Sequence, residues 1–515
     1  MAYISIPSLN YNELTFNLTY NDNNNDDKEK NSIYISYSLH HYLSFIKEKI
    51  NLYNSNWDYY KKITNPYEYI HTPVGEKNIS ICKHKPLSRS FFKMIEIINI
   101  FNLFQNVNSS IKSFHLAEGP GGFIEAFNYI RKNKNDKYYG MTLISEDINI
   151  PSWKKSYSFV NNNKNVILEY GKTKTGDLFS LENLIYVAEN YKNTMDFITG
   201  DGGFDFSVDF NKQEDMSLKL IFSQIIYALF LQKPGGTFVI KIFDIFKLKT
   251  VECIFLLSNF YENICIYKPN TSRVANSEKY VICKKYKSID IKMKNYLLNN
   301  FENILSNMDN IKSFFNIEFP KYFINRIEEI NAIYGQQQLE NINTTLNIIR
   351  EYKNLNREKL NTINYINNNL YDVDNIEFSI NKINHDNENN DNENNDNENN
   401  DNENNDTENN DTENNDTENN EKDDDSDDNF NLNFYNLSTS PSDNRSLSIN
   451  TKLLSKISED VSISPFINSQ INKSNDVLLN KFQNKINAMK NLNIQKSINW
   501  CNKYELNINK YFIVT

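Results

Sequence analysis

Four charged residues stand where their local pattern calls for something else, and their types suit the handling of a proton. Lys241 lies inside the run Phe238-Val239-Ile240-Lys241-Ile242-Phe243. Burying a lysine is costly unless it is paired or its pKa falls, and a cleft lysine tuned in that way can act as a general base. The alternative is a strand register that leaves it outside. Asp201 is flanked by glycines in Thr199-Gly200-Asp201-Gly202-Gly203-Phe204-Asp205. It either faces a cleft or closes an Asx-turn. Lys93 shares a helix face with Ile97 and Ile100, a place from which lysines also snorkel to solvent. Glu278 opens an apolar run that continues through Tyr280 and Val281. Near them in kind is Ala117-Glu118-Gly119-Pro120-Gly121-Gly122-Phe123. Its glycines let the backbone approach a ligand, and the helix opening there offers free N–H groups. The loop matches neither G-x-x-x-x-G-K-[ST] nor G-x-G-x-x-G, and a tight turn packed for its own sake is the plain alternative.

Something must hold these residues in place, and residues 110–285 supply it. Short apolar runs at Ser113–Ala117, Lys137–Leu143, Val166–Glu169, Met195–Thr199, Gly236–Ile242, Asn263–Lys268 and Glu278–Lys284 read as strands. Helical patterns at Gly122–Arg131, Leu181–Tyr191, Asp215–Leu231 and Leu248–Asn259 lie between most of them. Such alternation predicts an α/β doubly wound domain, a mostly parallel sheet of about seven strands with helices on both faces. The last two strands lack an intervening helix, which predicts an antiparallel strand at the sheet edge. Ligands in such folds sit beyond the carboxyl ends of the strands, where the Gly-rich loop and Asp201 fall. Residues 288–375 read as helical, with apolar spacing in Tyr296–Ile304 and Phe323–Ile333, and Leu478–Tyr504 is again amphipathic.

The chain of 515 residues carries a net charge of −11, but the charge is unevenly spread. Asp386–Asp428 holds 20 acids against one lysine, so the rest of the chain carries +8, which permits a polyanionic partner. Within that segment, D-N-E-N-N and D-T-E-N-N repeat seven times from Asp386 to Asn420 without an apolar residue. Nothing there can offset the entropy of ordering, so it reads as disordered. The five cysteines form no C-x-x-C pair, which points to a reducing compartment and away from a disulfide framework or zinc module. The N-terminus lacks a basic leader, and the longest apolar stretch, Leu218–Leu231, is broken by Lys219, Ser223 and Gln224. A soluble intracellular protein, neither secreted nor membrane-spanning, is expected.

Taken together, Lys93, Asp201, Lys241 and Glu278 resemble the K-D-K-E tetrad of the FtsJ-like RNA ribose 2′-O-methyltransferases. Six segments carry the likeness in order: Ala117–Phe123, Gly140-Met141-Thr142-Leu143, Thr175-Gly176-Asp177-Leu178, Gly200–Phe204, Gly235–Phe246 and Lys268–Cys283. Their wording is most similar to the cap-specific mRNA (nucleoside-2′-O-)methyltransferases, through Lys268-Pro269, Ser272-Arg273 and Asn276-Ser277-Glu278-Lys279-Tyr280-Val281. One departure is that relatives commonly have an acid two or three places before the Gly-rich loop, where this chain has His115-Leu116-Ala117.

The resemblance implies a Rossmann-like, S-adenosyl-L-methionine-dependent fold with no metal. Glu118, Gly119, Pro120, Gly121, Gly122 and Phe123 would line the cofactor, with Asp201 beside it and Asp177 at its adenosine end. Lys241 would help deprotonate the ribose 2′-OH, Asp201 and Lys93 would set its charge state, and Glu278 would orient the lysine pair. Ser272, Arg273 and Asn276 would lie near the RNA. The implied partner is capped mRNA, in the nucleus or the cytoplasm, a cytoplasmic viral compartment included. A ribosomal or transfer RNA substrate, or an RNA-binding scaffold without catalysis, are the alternatives. The expected organisation is an N-terminal extension (1–80), the methyltransferase domain (81–287), a helical extension (288–382), the disordered acidic segment (383–470) and a helical segment packing back (471–515).

Overall fold

A computed structural model describes residues 3–9, 14–21, 32–75, 78–105, 107–145, 147, 150–203, 210–385 and 465–512. The repeat Asp386–Asn420, and Phe204 and Asp205 of the glycine-flanked loop, lie outside the described residues. Met1–Leu355 and Leu479–Thr515 make one compact unit, and Asn356–Leu478 a second.

In chain order the elements are β1 (Ile4–Ile6), β2 (Thr19–Tyr20), α1 (Tyr37–Asn51), α2 (Asn54–Ile63), α3 (Ser90–Ile100), β3 (Lys112–Leu116), α4 (Gly122–Arg131) and β4 (Lys137–Met141). Next come α5 (Tyr157–Asn162), β5 (Val166–Leu168), α6 (Leu181–Tyr191), β6 (Met195–Gly200), α7 (Gln213–Leu231), β7 (Gln232–Ile242) and α8 (Leu248–Phe260). The chain continues through β8 (Tyr261–Tyr267), β9 (Lys279–Tyr286), α9 (Ile291–Ser306), β10 (Ile311–Ser313), α10 (Lys321–His385) and α11 (Pro465–Lys503). The two long helices therefore reach into both ends of the segment 383–470, where disorder was expected throughout. None of the described helices is long and apolar enough to cross a membrane.

Eight strands form one sheet in the order β1-β8-β9-β7-β6-β3-β4-β5. Strands β7, β6, β3, β4 and β5 are parallel neighbours, as the alternation predicts. The antiparallel strand, however, is not at the edge. β9 runs antiparallel between β7 and β8, and the edge is β1, paired antiparallel to β8. The reason lies in β9 itself. Tyr280-Val281-Ile282-Cys283 is at most 1% exposed, so both of its faces need cover, and only an interior position provides that. β1 then closes the hydrogen-bonding edge that β8 would leave open.

The core lies on both faces of the sheet. On one, Phe222, Ile225 and Leu229 of α7 pack with Ile254 and Leu257 of α8. On the other, Phe91, Phe92 and Ile95 of α3 pack with Phe123 and Phe127 of α4. Trp500 and Cys501 of α11 join this second layer. Farther along the same helix, Phe482 and Ile486 pack with Trp57, Tyr60 and Ile63 of α2 and with Ile342 and Leu346 of α10.

Candidate active site

Strand alternation decides which charged side chains can meet. In β7, Phe238, Ile240 and Ile242 join the core under α7, while Val239 joins the core under α3. Lys241 shares the face of Val239. In β9, Tyr280 and Ile282 belong to the α3 side, and the pairing sets Tyr280 opposite Lys241. Glu278 precedes Tyr280 by two residues, and Asp201 follows by four residues Phe197, which also packs under α3. Three strand ends thus deliver their polar residues under the helix that carries Lys93.

The four predicted residues form two linked ion pairs. Lys93 Nζ is 2.8 Å from Glu278 Oε1 and donates to Oε2 at 2.9 Å. Lys241 Nζ donates to the Asp201 carbonyl oxygen at 2.6 Å and lies 3.4 Å from Oδ1. Tyr280, a residue the sequence reading passed over, donates its hydroxyl to Asp201 Oδ1 at 2.8 Å. No sequence signal marked it, because a tyrosine in a strand breaks no pattern. Burial alone would raise the Glu278 carboxyl, but Lys93 and Lys241 outweigh it and hold its pKa at about 2. Burial, with Asp201 adding to it, pushes the Tyr280 phenol far up, so it stays a donor.

The Gly-rich loop packs directly beside this cluster. Gly121 takes φ +111°, and a Cβ on Gly122 would meet Ser90 Oγ at 2.2 Å, so the loop sits tight on the start of α3. Glu118 folds back under the helix it precedes: its Oε1 accepts the N–H groups of Phe123 at 2.6 Å and Ile124 at 3.3 Å. Its Oε2 is buried without a hydrogen-bond partner. Burial, with Asp201 nearby, pushes the Glu118 carboxyl well above the usual range. An orphaned carboxyl oxygen near a second acid fits a cationic ligand, whose charge would favour the ionised form. Asp177 is half-buried, with Oδ1 accepting the Phe179 N–H at 2.9 Å. Its loop is tied to the chain after β4, where the Ile144 N–H donates to Thr175 O at 2.7 Å. His115 is no substitute for the missing acid. Its ring bonds Ser113 Oγ and Thr199 Oγ1 inside the sheet, and burial drives its pKa to about 3, so it is neutral.

The segment after β8 forms a loop over α3. Ser272 is buried, with no hydrogen-bond partner for Oγ, while Asn276 is exposed and its Oδ1 accepts the Glu278 N–H at 3.1 Å. Arg273 turns its guanidinium onto Glu68, with bonds of 2.6 and 3.0 Å. Its fork therefore closes on a protein carboxylate. Glu96 of α3, also passed over, accepts the N–H of Asn270 at 2.9 Å and that of Thr271 at 3.3 Å. The Tyr267 hydroxyl at 2.5 Å and the Trp500 indole N–H at 3.3 Å bond the same carboxylate. An acid inside the apolar helix Phe91–Ile98 was the signal that it has buried partners.

Residues 86–286 match the profile of a family described as "FtsJ-like methyltransferase". This part of the chain is an FtsJ-like methyltransferase domain. The domain's curated relatives include "Cap-specific mRNA (nucleoside-2'-O-)-methyltransferase 1" of Trypanosoma brucei brucei, 33% identical over 32% of this chain and 44% of that protein. A "Cap-specific mRNA (nucleoside-2'-O-)-methyltransferase" of Autographa californica nuclear polyhedrosis virus is 29% identical over 51% of this chain and 86% of its own length. "Cap-specific mRNA (nucleoside-2'-O-)-methyltransferase 2" of Mus musculus is 25% identical over 60% of this chain. The chain spans 41% of that mouse protein.

Proposed function

We propose that this protein transfers a methyl group from S-adenosyl-L-methionine to the 2′-OH of an RNA ribose, most specifically at the cap-proximal nucleotide of mRNA. The observation that carries this reading is the convergence of Lys93–Glu278 and Lys241–Asp201 beside the Gly-rich loop of an FtsJ-like domain. The names of the curated relatives support the choice of a capped transcript.

Residues 118–123, Asp177 and Asp201 would hold the cofactor, and the unpaired Glu118 Oε2 would answer its positive charge. When bound, the cofactor supplies an already electrophilic methyl group. What remains for the protein is positioning and proton removal. Lys241, once it has given up its own ammonium proton to solvent, would receive the 2′-OH proton, with the carbonyl oxygen and Oδ1 of Asp201 keeping its Nζ aimed. Glu278 offsets the charge of two lysines, and its grip on Lys93 keeps that ammonium off the path of Lys241. Asn276, exposed and two residues before Glu278, would meet the RNA. A capped substrate puts the protein in the nucleus or the cytoplasm.

The test is methyl transfer from labelled cofactor to two RNAs of one sequence, capped and uncapped, with nuclease mapping. Transfer to capped RNA alone, at the first or second ribose, is expected. Equal transfer to both, or to an internal position, would overturn cap specificity.

A further inference from the structure

Lys268 begins the loop that returns to Glu278, and it is 4% exposed. Its Nζ donates to two backbone carbonyls at the far end of that loop, those of Asn276 and of Glu278, the latter at 3.0 Å. The charged groups that face it come from several elements. They are Lys93 on α3, Glu278 and Lys279 at the head of β9, and Asp244 after β7. Both carboxylates are engaged with other lysines, Glu278 with Lys93 and Asp244 with Lys47 at 3.0 Å. From α10, Tyr334 lies against the Lys268 main chain. A cation buried on neutral oxygens, among other cations, is an expensive way to hold a loop, and an apolar side chain of similar length would cost less. Stability alone does not account for such an arrangement.

Resting on the function proposed above, we propose that Lys268 is a positioning residue for methyl transfer. Its ammonium clasps the base of the Pro269–Ser277 loop and fixes where Asn276 and the Glu278 carboxylate stand toward the RNA ribose. Burial first, and then Lys279, bring its pKa down to about 7, so the clasp weakens as pH rises through neutrality. The neutral amine still donates, but without the added strength of a charged donor.

Two measurements test this. The first is hydrogen exchange of residues 269–277 in the wild-type chain at pH 6 and pH 8.5, corrected for intrinsic rates. Protection of the segment is expected to fall about tenfold at the higher pH, the loss of one charge-assisted bond. Equal protection at both values would overturn the charge dependence, and protection as strong in Lys268→Met as in the wild type would overturn the clasp itself, whether or not the protein methylates RNA. The second is Lys268→Met. It is expected to lower kcat/KM for RNA by about 10- to 100-fold while leaving cofactor affinity, read by calorimetry, within about twofold. The wild type should lose RNA affinity above neutral pH and the variant should not. An unchanged kcat/KM for RNA, a loss confined to cofactor affinity, or the same pH response in the variant would each overturn the assignment. Inactivity of the wild type on any RNA would instead fail the proposed function, leaving the exchange result to judge the clasp.

Discussion

Glu278 is surrounded by ammonium groups, those of Lys93, Lys241 and Lys268, and its ionisation is worth most where they are charged. Its folded pKa of about 2 lies below the ordinary 4.5, so it contributes stability above about pH 4.5 that is lost as pH falls toward 2. Glu278→Gln removes the charge at every pH. Its Tm deficit against wild type is therefore expected to be full at pH 6 to 7 and to close as the pH approaches 2, which thermal melts in a pH series would read. A constant deficit would mean that shape, not charge, holds the pair. Lys241→Ala removes the proposed proton acceptor and is expected to cost about 100- to 10,000-fold in methyl transfer. Cofactor binding should persist, since the loop at 118–123 is untouched; a loss of binding would place Lys241 among the cofactor contacts. The four charged residues were legible because each breaks a local pattern. Tyr280 was not, because a tyrosine in a strand breaks none, and only the register opposite Lys241 shows its partner.

At the scale of elements, Glu96 joins α3 to the Lys268–Ser277 loop and, through Trp500, to α11. Trp500→Phe keeps a ring against Phe92, where the centroids are 5.9 Å apart, but deletes the indole donor. A drop of about 1 kcal/mol in stability is expected. The KM for RNA should rise about fivefold with the KM for cofactor unchanged, the former following from a loosened loop. Equal rises in both constants would show a general loss of packing instead. How far elements could be read follows from how local their determinants are. Gly122–Arg131 and Leu181–Tyr191 agree with the structure to the residue, because a left-handed Gly121 opens one and Ser180, accepting the Asn183 N–H, caps the other. β1, β2 and β10 are two or three residues long and carry no periodicity, so their pairings with distant partners were not visible. The place of β9 was misread for a related reason: connection length speaks for strand direction, whereas lateral order depends on burial of both faces.

For the molecule as a whole, the compact unit is made of two stretches of chain that meet across a long excursion. Tyr352 of α10 and Phe482 of α11 have ring centroids 5.9 Å apart, and Glu351 pairs with Lys485 at 2.6 Å. Residues 355 and 479 thus follow directly from neighbouring contacts, although the 123 residues of Asn356–Leu478 separate them in sequence. Closing a connection of that length costs entropy that grows only with its logarithm, about 0.6 kcal/mol per doubling. Replacing Asn356–Leu478 with about eight Gly and Ser residues is expected to leave the compact unit folded, with a Tm no lower than that of the full chain. It also loses the segment that makes the chain acidic, leaving a molecule of opposite net charge, so its RNA affinity should rise and fall more steeply with salt. Methyl transfer should survive, because every residue placed at the site lies at or before Tyr280 and its C-terminal support begins at Trp500. Unfolding on excision would show instead that the second unit holds α10 and α11 together. Loss of activity in a folded product would move part of the RNA site into Asn356–Leu478.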